Sequence, residues 1–171
     1  MSRVLLINET VLKSETIIND NVGSEFIRPA IEVSQDMYLQ QLIGTELIDK
    51  LYQLVIDGTI QDEKNSNYKM LIDDYITNYL KYKVLTEITL PLAYKYRNAG
   101  LVQSTGDHYQ QSTLRDATMI QSHYEQRATF YGERLTKYLN ANNGDFPEYR
   151  SRRDSADMMA DPDAYNTNWV L

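Results

Sequence analysis

Residues 68–98, YKMLIDDYITNYLKYKVLTEITLPLAYKYRN, predict a helix of about 31 residues, about 46 Å long at 1.5 Å per residue. Apolar and tyrosine side chains recur at helical intervals through its first half: Tyr68, Leu71, Ile72, Tyr75, Ile76, Tyr79 and Leu80. This spacing places them on one wide face. The only breaker is Pro91, which we expect to kink the helix or divide it.

A second long helix is predicted over residues 114–141. Small, apolar and tyrosine side chains recur every three or four residues along it: Ala117, Ile120, Tyr124, Ala128, Tyr131, Leu135 and Tyr138. This spacing indicates a seam that packs along a partner helix. The connection at residues 99–113 is short enough to place the two long helices antiparallel. Residues 101–113 predict a small hairpin with its turn at Gly106–Asp107, and a plain loop is the alternative.

Shorter helices precede this pair. One is expected from Ser24 to about Ile43, and the next from Thr45 to the stop signal at Asp57–Gly58. Residues 1–23 predict an extended segment followed by a short helix. The predicted fold is therefore mostly α, a helical bundle with two long antiparallel helices and with residues 24–144 as its main domain.

The C-terminal residues 145–171 differ from the rest of the chain. Two prolines and several aspartates interrupt them, while large aromatic residues recur without helical spacing: Phe146, Tyr149, Tyr165 and Trp169. Such a composition is typical of an extended arm that becomes ordered against a partner. We therefore expect contacts between subunits here, anchored by Phe146, Tyr149 and Trp169 and supplemented by charge pairing from Arg150, Arg152 and Arg153.

Composition excludes several classes of protein. The chain has 171 residues and no cysteine, so disulfides, thiolate catalysis and zinc ribbons are ruled out. Its net charge of −7 argues against a broad basic face that grips nucleic acid. No apolar stretch approaches the length of a membrane span, and the N-terminus lacks the pattern of a signal peptide. No phosphate-binding loop, nucleophile elbow or zinc-protease motif is present, so we expect no catalytic site, metal or cofactor.

The 14 tyrosines are the most unusual feature of the composition. Tyrosine packs its ring at the edge of a core or in a subunit interface while its hydroxyl stays in water. A surface that stacks nucleotides would also use aromatic residues, interleaved with basic ones as in residues 81–97. The remaining polar candidates favour solvated surface: His123 lies four residues before Arg127, and the adjacent Asp73 and Asp74 point about 100° apart on a helix.

Three segments together resemble a known family. They are IRPAIEVSQDMYLQQLIGTELIDKLYQLV at residues 27–55, YKMLIDDYITNYLKYKVLTEITLPLAYKYRNAGLV at residues 68–102, and a helix that ends in LTKYLNANNGDFPEY. The order resembles that of head–tail connector (adaptor) ring proteins of tailed bacteriophages, closest to those of crAss-like phages of gut Bacteroidales. The resemblance covers residues 20–149, and none of its motifs is catalytic.

The resemblance implies a structural virion protein at the portal–tail vertex, assembled from subunits in the host cytoplasm. Copies of the chain, commonly twelve, would form a ring between the portal protein and the next tail or ring protein. DNA would pass through the lumen without specific binding. A helical binding or regulatory module that contacts nucleic acid through residues 81–97 is the alternative.

Overall fold

The computed structural model describes residues 4–97, 100–103, 113–150 and 157–164. Five helices lie in this part of the chain. Helix α1 is Glu9–Glu15, and α2 comprises Ser24–Val33, π-helical turns at Ser34–Leu39 and a last turn at Gln40–Ile43. Helix α3 is Thr45–Ile56, α4 comprises Ser66–Met70, π-helical turns at Leu71–Ile76 and then Thr77–Ala93, and α5 is Leu114–Ala141. Short 3-10 turns occupy Thr59–Gln61, Glu63–Asn65 and Pro147–Arg150.

The two long helices, α4 and α5, pack antiparallel, which confirms the predicted mostly α fold. Tyr75 near the start of α4 stacks on Tyr138 near the end of α5, and Tyr82 further along α4 stacks on Tyr131. Helix α5 begins with a capping box, in which the Thr113 hydroxyl accepts from the Asp116 amide and the Asp116 carboxylate accepts from the Thr113 amide. The cap satisfies backbone groups that the first turn leaves without partners.

The predictions for the end of α4 were wrong in detail. The helix was expected to run to about residue 98, yet it ends at Ala93. Pro91 lies in the last turn and does not divide the helix, because a proline there removes only one of the final hydrogen bonds. The residues that follow, Tyr94–Arg97, form strand β1.

The hairpin also lies earlier in the chain than predicted. Strand β1 pairs antiparallel with β2, Gly100–Gln103, so that Tyr94 is opposite Gln103 and Arg97 is opposite Gly100. Residues 101–103 were expected to pair with residues after a turn at Gly106–Asp107, whereas their partner strand precedes them in the chain. The predicted turn at Gly106–Asp107 lies outside the described residues.

One hydrophobic core joins the N-terminal segment, the helices and the residues that follow α5. Its centre consists of fully buried aliphatic side chains from α2, α3 and α4, among them Ile27, Leu47 and Leu80. Leu6 in the N-terminal segment and Phe146 after α5 belong to the same cluster. The predicted domain at residues 24–144 therefore shares its core with residues on both sides of it.

Two local features hold the ends of the chain to this core. Gln35, buried in the π-helical turns of α2, accepts from the Leu6 amide at 2.8 Å and donates to the Val4 carbonyl at 3.1 Å. A π-helical turn adds one residue to the helix, which changes the direction of the following side chains. The N-terminal segment is thereby fixed by hydrogen bonds as well as by burial.

At the other end, residues 157–164, here called the strap, cross the junction between α2 and α3. The Thr45 amide donates to the Met158 carbonyl at 2.8 Å, and the Asp161 amide donates to the Gln41 carbonyl at 3.1 Å. Gly44 at the junction has φ +80° and ψ 160°, a conformation that is essentially confined to glycine. A Cβ at this position would lie 2.7 Å from the Ala160 backbone nitrogen, so the strap fits only over a glycine.

Candidate interaction surface

The seam between α4 and α5 contains two similar stacks of a tyrosine pair and an arginine. In the first, the rings of Tyr75 and Tyr138 are 4.0 Å apart, and the Arg134 guanidinium lies 4.8 Å from the Tyr75 ring. In the second, the rings of Tyr82 and Tyr131 are 5.3 Å apart, and the Arg127 guanidinium lies 5.6 Å from the Tyr82 ring. We call these two units the tyrosine–arginine stacks.

The stacks repeat because their members repeat at heptad spacing on both helices. Seven residues separate the two members of each pair on one helix: Tyr75 and Tyr82, Arg127 and Arg134, Tyr131 and Tyr138. Seven residues are close to two helical turns, so the second unit falls directly along the seam from the first. The tyrosines were recognised from the sequence but the arginines were not, although the same seven-residue spacing separates Arg127 from Arg134.

Both arginines are exposed beside the rings that they contact. Within the described part of the chain, no carboxylate lies within ion-pair distance of Arg127 or Arg134. A guanidinium whose flat face rests on an aromatic ring keeps its N–H donors in the plane of the fork. The stacks therefore display oriented donors that an acceptor on another molecule can reach.

Exposed apolar side chains lie beside the stacks on the outer face of α5. Phe130 is 62% exposed with its ring edge-on to Tyr131, and Met119 is 62% exposed about three turns earlier on the helix. Aromatic residues, methionine and arginine are the residue types enriched in protein–protein interfaces. The outer face of α5 has this composition, and we treat it with the stacks as the candidate interaction surface.

A buried polar cluster supports this surface from below. Lys83, whose side chain is only 6% exposed, forms an ion pair with Glu125 and lies 4.3 Å from the Tyr38 ring. The Tyr38 hydroxyl donates to Glu87 at 2.7 Å, and this hydrogen bond, together with partial burial, raises the pKa of Tyr38 to about 12. The cluster ties α2 to both long helices, so it fixes the position of α5.

An apolar groove lies at the end of the long helices next to the hairpin. It has a volume of about 390 Å³ and is bounded by the end of α1 and the segment after it, the last turns of α4 and the first turns of α5. Ile120, predicted to belong to the helix seam, lies at this groove and is 47% exposed. The seam is thus closed by the tyrosine–arginine stacks but open at the groove.

Two of the predicted interface anchors are buried inside their own chain. Phe146 is fully buried and meets the Tyr68 ring edge-on at 5.4 Å, and Tyr149 is 3% exposed. The Tyr68 hydroxyl donates to Glu148 at 2.9 Å. The pKa of Tyr68 is raised, mainly by burial and also by this hydrogen bond. The expectation that these aromatic residues could not be buried within the chain was wrong, because the turn at residues 147–150 packs against α3.

The other predicted anchors are not placed by the structure. Arg152, Arg153 and Trp169 lie outside the described residues, and of Arg150 only the backbone is described. The interface roles of these three arginines and of Trp169 remain predictions from the sequence. His123 is exposed, with its ring 6.0 Å from that of Tyr124.

The two neighbouring aspartates, Asp73 and Asp74, are exposed on α4, and Asp73 pairs with Lys69 one turn earlier. Among the described residues no cluster of His, Asp or Glu side chains has the arrangement of a metal site. In the same part of the chain, no helix combines the length and apolar character needed to span a bilayer.

The fold places the protein in the class of small, mostly α-helical proteins, and the sequence assigns the chain to a particular family. A family of unknown function, DUF6712, matches residues 39–157, which is more than half of the chain. The protein belongs to this family. No curated protein and no solved structure matches the chain.

Proposed function

We propose that this protein is a structural virion protein, a subunit of the ring that joins portal and tail in a tailed bacteriophage. The observation that carries the proposal is the ordered resemblance over residues 20–149 to connector proteins of crAss-like phages. The family match overlaps most of that region but names no function. The proposal therefore includes the virion location, the ring, the neighbouring portal and tail proteins, and the passage of DNA.

The candidate interaction surface supports a role in assembly. Phe130 and Met119 expose apolar area that a subunit interface would cover, and burial of apolar area is the main favourable term in association. Arg127 and Arg134 add oriented donors, which suit carboxylates on a neighbouring subunit. The net charge of −7 provides such carboxylates on every copy of the chain.

The acidic balance also suits a DNA channel. A lumen of negative potential repels phosphates and keeps the passing duplex from adhering to the wall. Lysines and arginines number 17 against 24 acidic residues. Among the described residues, six lysines pair with carboxylates: Lys13, Lys64, Lys69, Lys81, Lys83 and Lys137. The excess of acidic residues and this pairing of lysines agree with passage of DNA rather than binding.

Purified phage particles provide the test. We expect the chain to co-purify with virions and to occupy a ring between portal and tail in a cryo-EM map, with the outer face of α5 in contact with a neighbouring molecule. Absence of the chain from purified, infectious particles would overturn the proposal. A map that places it elsewhere in the particle would replace the connector role with another structural one.

The tyrosine–arginine stacks favour one alternative, a binding or regulatory module that contacts nucleic acid. Arginines interleaved with aromatic rings are typical of surfaces for single-stranded nucleic acid. In that case the purified protein would be a monomer or dimer that binds single strands in a salt-dependent manner, and the double variant Arg127→Ala, Arg134→Ala would abolish binding. A connector subunit would instead assemble and show no such binding.

A further inference from the structure

The apolar groove beside the hairpin is open although it lies within the fold. Side chains of Ile18, Leu85, Ile88 and Ala117 line its interior, and the residues that form its lining carry no charge. Ile17 at its edge is 77% exposed. A volume of about 390 Å³ lies in the range of sites that enclose a small ligand or a large side chain. The natural occupant is therefore an uncharged, apolar group.

The chain itself contains one segment of matching chemistry outside the described residues. Residues 165–171, YNTNWVL, carry no charged side chain and include the only tryptophan of the protein, followed by valine and leucine. The other undescribed internal segments are unlike this: residues 104–112 are polar and include Asp107, and residues 151–156 contain two arginines and an aspartate. The groove and residues 165–171 therefore match, because neither has a charged side chain and both offer apolar groups.

The strap determines where residues 165–171 are attached to the described part of the chain. The Asn140 side chain, near the end of α5, donates to the Pro162 carbonyl at 3.3 Å. Ile120 at the groove is twenty residues from Asn140 on the same helix, a distance of about 30 Å at 1.5 Å per residue. The seven residues from Pro162 to Trp169 span at most about 25 Å when fully extended. Trp169 therefore reaches its own groove only if these residues are fully extended along α5, and then at the edge that Tyr124 lines.

We propose that Trp169 and the residues around it bind in the apolar groove of a second copy of this chain. The exit of the segment and the groove lie at opposite ends of the long helices, so each copy would offer a segment at one end and a groove at the other. Such a head-to-tail contact between unlike surfaces repeats around a ring when the rotation closes. This inference rests on the proposed function, since it supplies the contact between neighbouring subunits.

A peptide experiment tests the contact without requiring a ring. The receptor is the full-length variant Trp169→Ala, which contains no tryptophan, and the probe is a peptide of residues 162–171, PDAYNTNWVL. The peptide tryptophan is excited at the red edge of its absorption, where tyrosine does not absorb. We expect its emission to shift to shorter wavelength and to saturate as receptor is added, because the indole moves from water into an apolar site. Absence of a shift would overturn the proposal.

Two receptor variants, each in the Trp169→Ala background, locate the binding site. Ile120→Asp places a charge in the groove, whereas Ile56→Asp makes the same substitution at an exposed isoleucine at the end of α3, which does not line the groove. We expect Ile120→Asp to weaken peptide binding by about tenfold or more and Ile56→Asp to leave it unchanged. Both side chains are largely exposed, so circular dichroism should show both variants folded. Equal binding by the two variants would overturn the assignment to the groove.

Dilution of the wild-type chain separates binding between copies from binding within one copy. Emission from Trp169 should shift to longer wavelength on dilution, in step with the loss of oligomers measured by mass. Emission that stays at short wavelength in the monomer would show that the segment folds back on its own chain and would overturn the proposal. If the peptide binds in the groove but no ring forms, the contact stands and the proposed connector function fails.

Discussion

The two ends of the α4–α5 pair are built differently although the helices are continuous. Near the end of α5, tyrosine pairs and Phe146 fill the space between the helices, and Asn140 binds the strap. Near the start of α5, Ala117 lies opposite the last turns of α4, which end at Ala93, and these small side chains leave the groove. We call these the closed end and the open end.

The difference shows how side-chain size at heptad positions controls closure of a helix seam. Tyrosine reaches across the seam, stacks on its counterpart and still leaves its hydroxyl at the surface, as Tyr75 and Tyr138 do. Alanine at equivalent positions cannot reach across, so a void remains unless another group enters it. The closed end therefore stabilises the single chain, and the open end is available to a partner.

Removing the central ring of the closed end should have the largest effect. Phe146→Ala should lower the free energy of unfolding by about 3–5 kcal/mol, because a fully buried aromatic side chain leaves a cavity. Ile120→Ala at the open end is the matched control and should cost far less, because the side chain is already half exposed. Urea unfolding of both variants measures the difference. Similarly small losses of unfolding free energy in both variants would show that Phe146 is not part of the core and would favour its predicted role in a subunit interface.

The strap at the closed end can be disturbed through the glycine beneath it. Gly44→Ala should lower the free energy of unfolding by about 1–3 kcal/mol, since alanine is strained in this conformation and its Cβ collides with the Ala160 backbone. Gly58→Ala also introduces strain at positive φ, but no atom lies within 4 Å of its Cβ. The excess loss in Gly44→Ala measures the contact with the strap, and faster proteolysis near residue 160 should accompany it. Equal losses in the two variants would contradict a fitted strap.

A smaller effect is expected for the dependence of stability on pH. It arises at Tyr38, which contacts the long helices between their closed and open ends. The pKa of Tyr38 is raised to about 12 by its hydrogen bond to Glu87 and by burial, whereas the unfolded chain has the ordinary value near 10. Its contribution to stability is therefore complete below about pH 10 and is lost as the pH rises toward 12. Tyr38→Phe should show a shallower alkaline loss of stability than the wild type. Parallel curves would mean that Tyr38 titrates normally.

The smallest effect concerns the arginines of the tyrosine–arginine stacks. Arg134→Ala should cost about 0.5–1 kcal/mol of stability, which is typical of an exposed cation on an aromatic ring. Arg115→Ala, on the same helix without such a ring contact among the described residues, should cost less. Thermal unfolding compares the two. A large loss for Arg134 would mean that it supports the fold, and an interface role would then be unnecessary.

The sequence allowed the long helices and their antiparallel packing to be predicted, because periodic apolar positions such as Leu71, Ile76 and Leu80 determine a buried face locally. It did not allow prediction of how the C-terminal residues fold. Phe146 and Tyr149 lack helical spacing, so their burial depends on contacts with Tyr68 and other residues distant in sequence. The groove was not predicted for a similar reason. Ile120 follows the spacing of the seam, and its exposure depends on the small size of the side chains opposite, which are distant in sequence.

The central claim is that copies of this chain form a ring, and the mass of the assembled protein tests it most directly. Native mass spectrometry of the purified chain, alone and with a portal protein, should reveal one closed species whose mass is a fixed multiple of 19.9 kDa, commonly twelvefold for connector rings. The account predicts that this species dissociates on dilution and is lost in Trp169→Ala. A monomer or dimer under all these conditions would contradict the account.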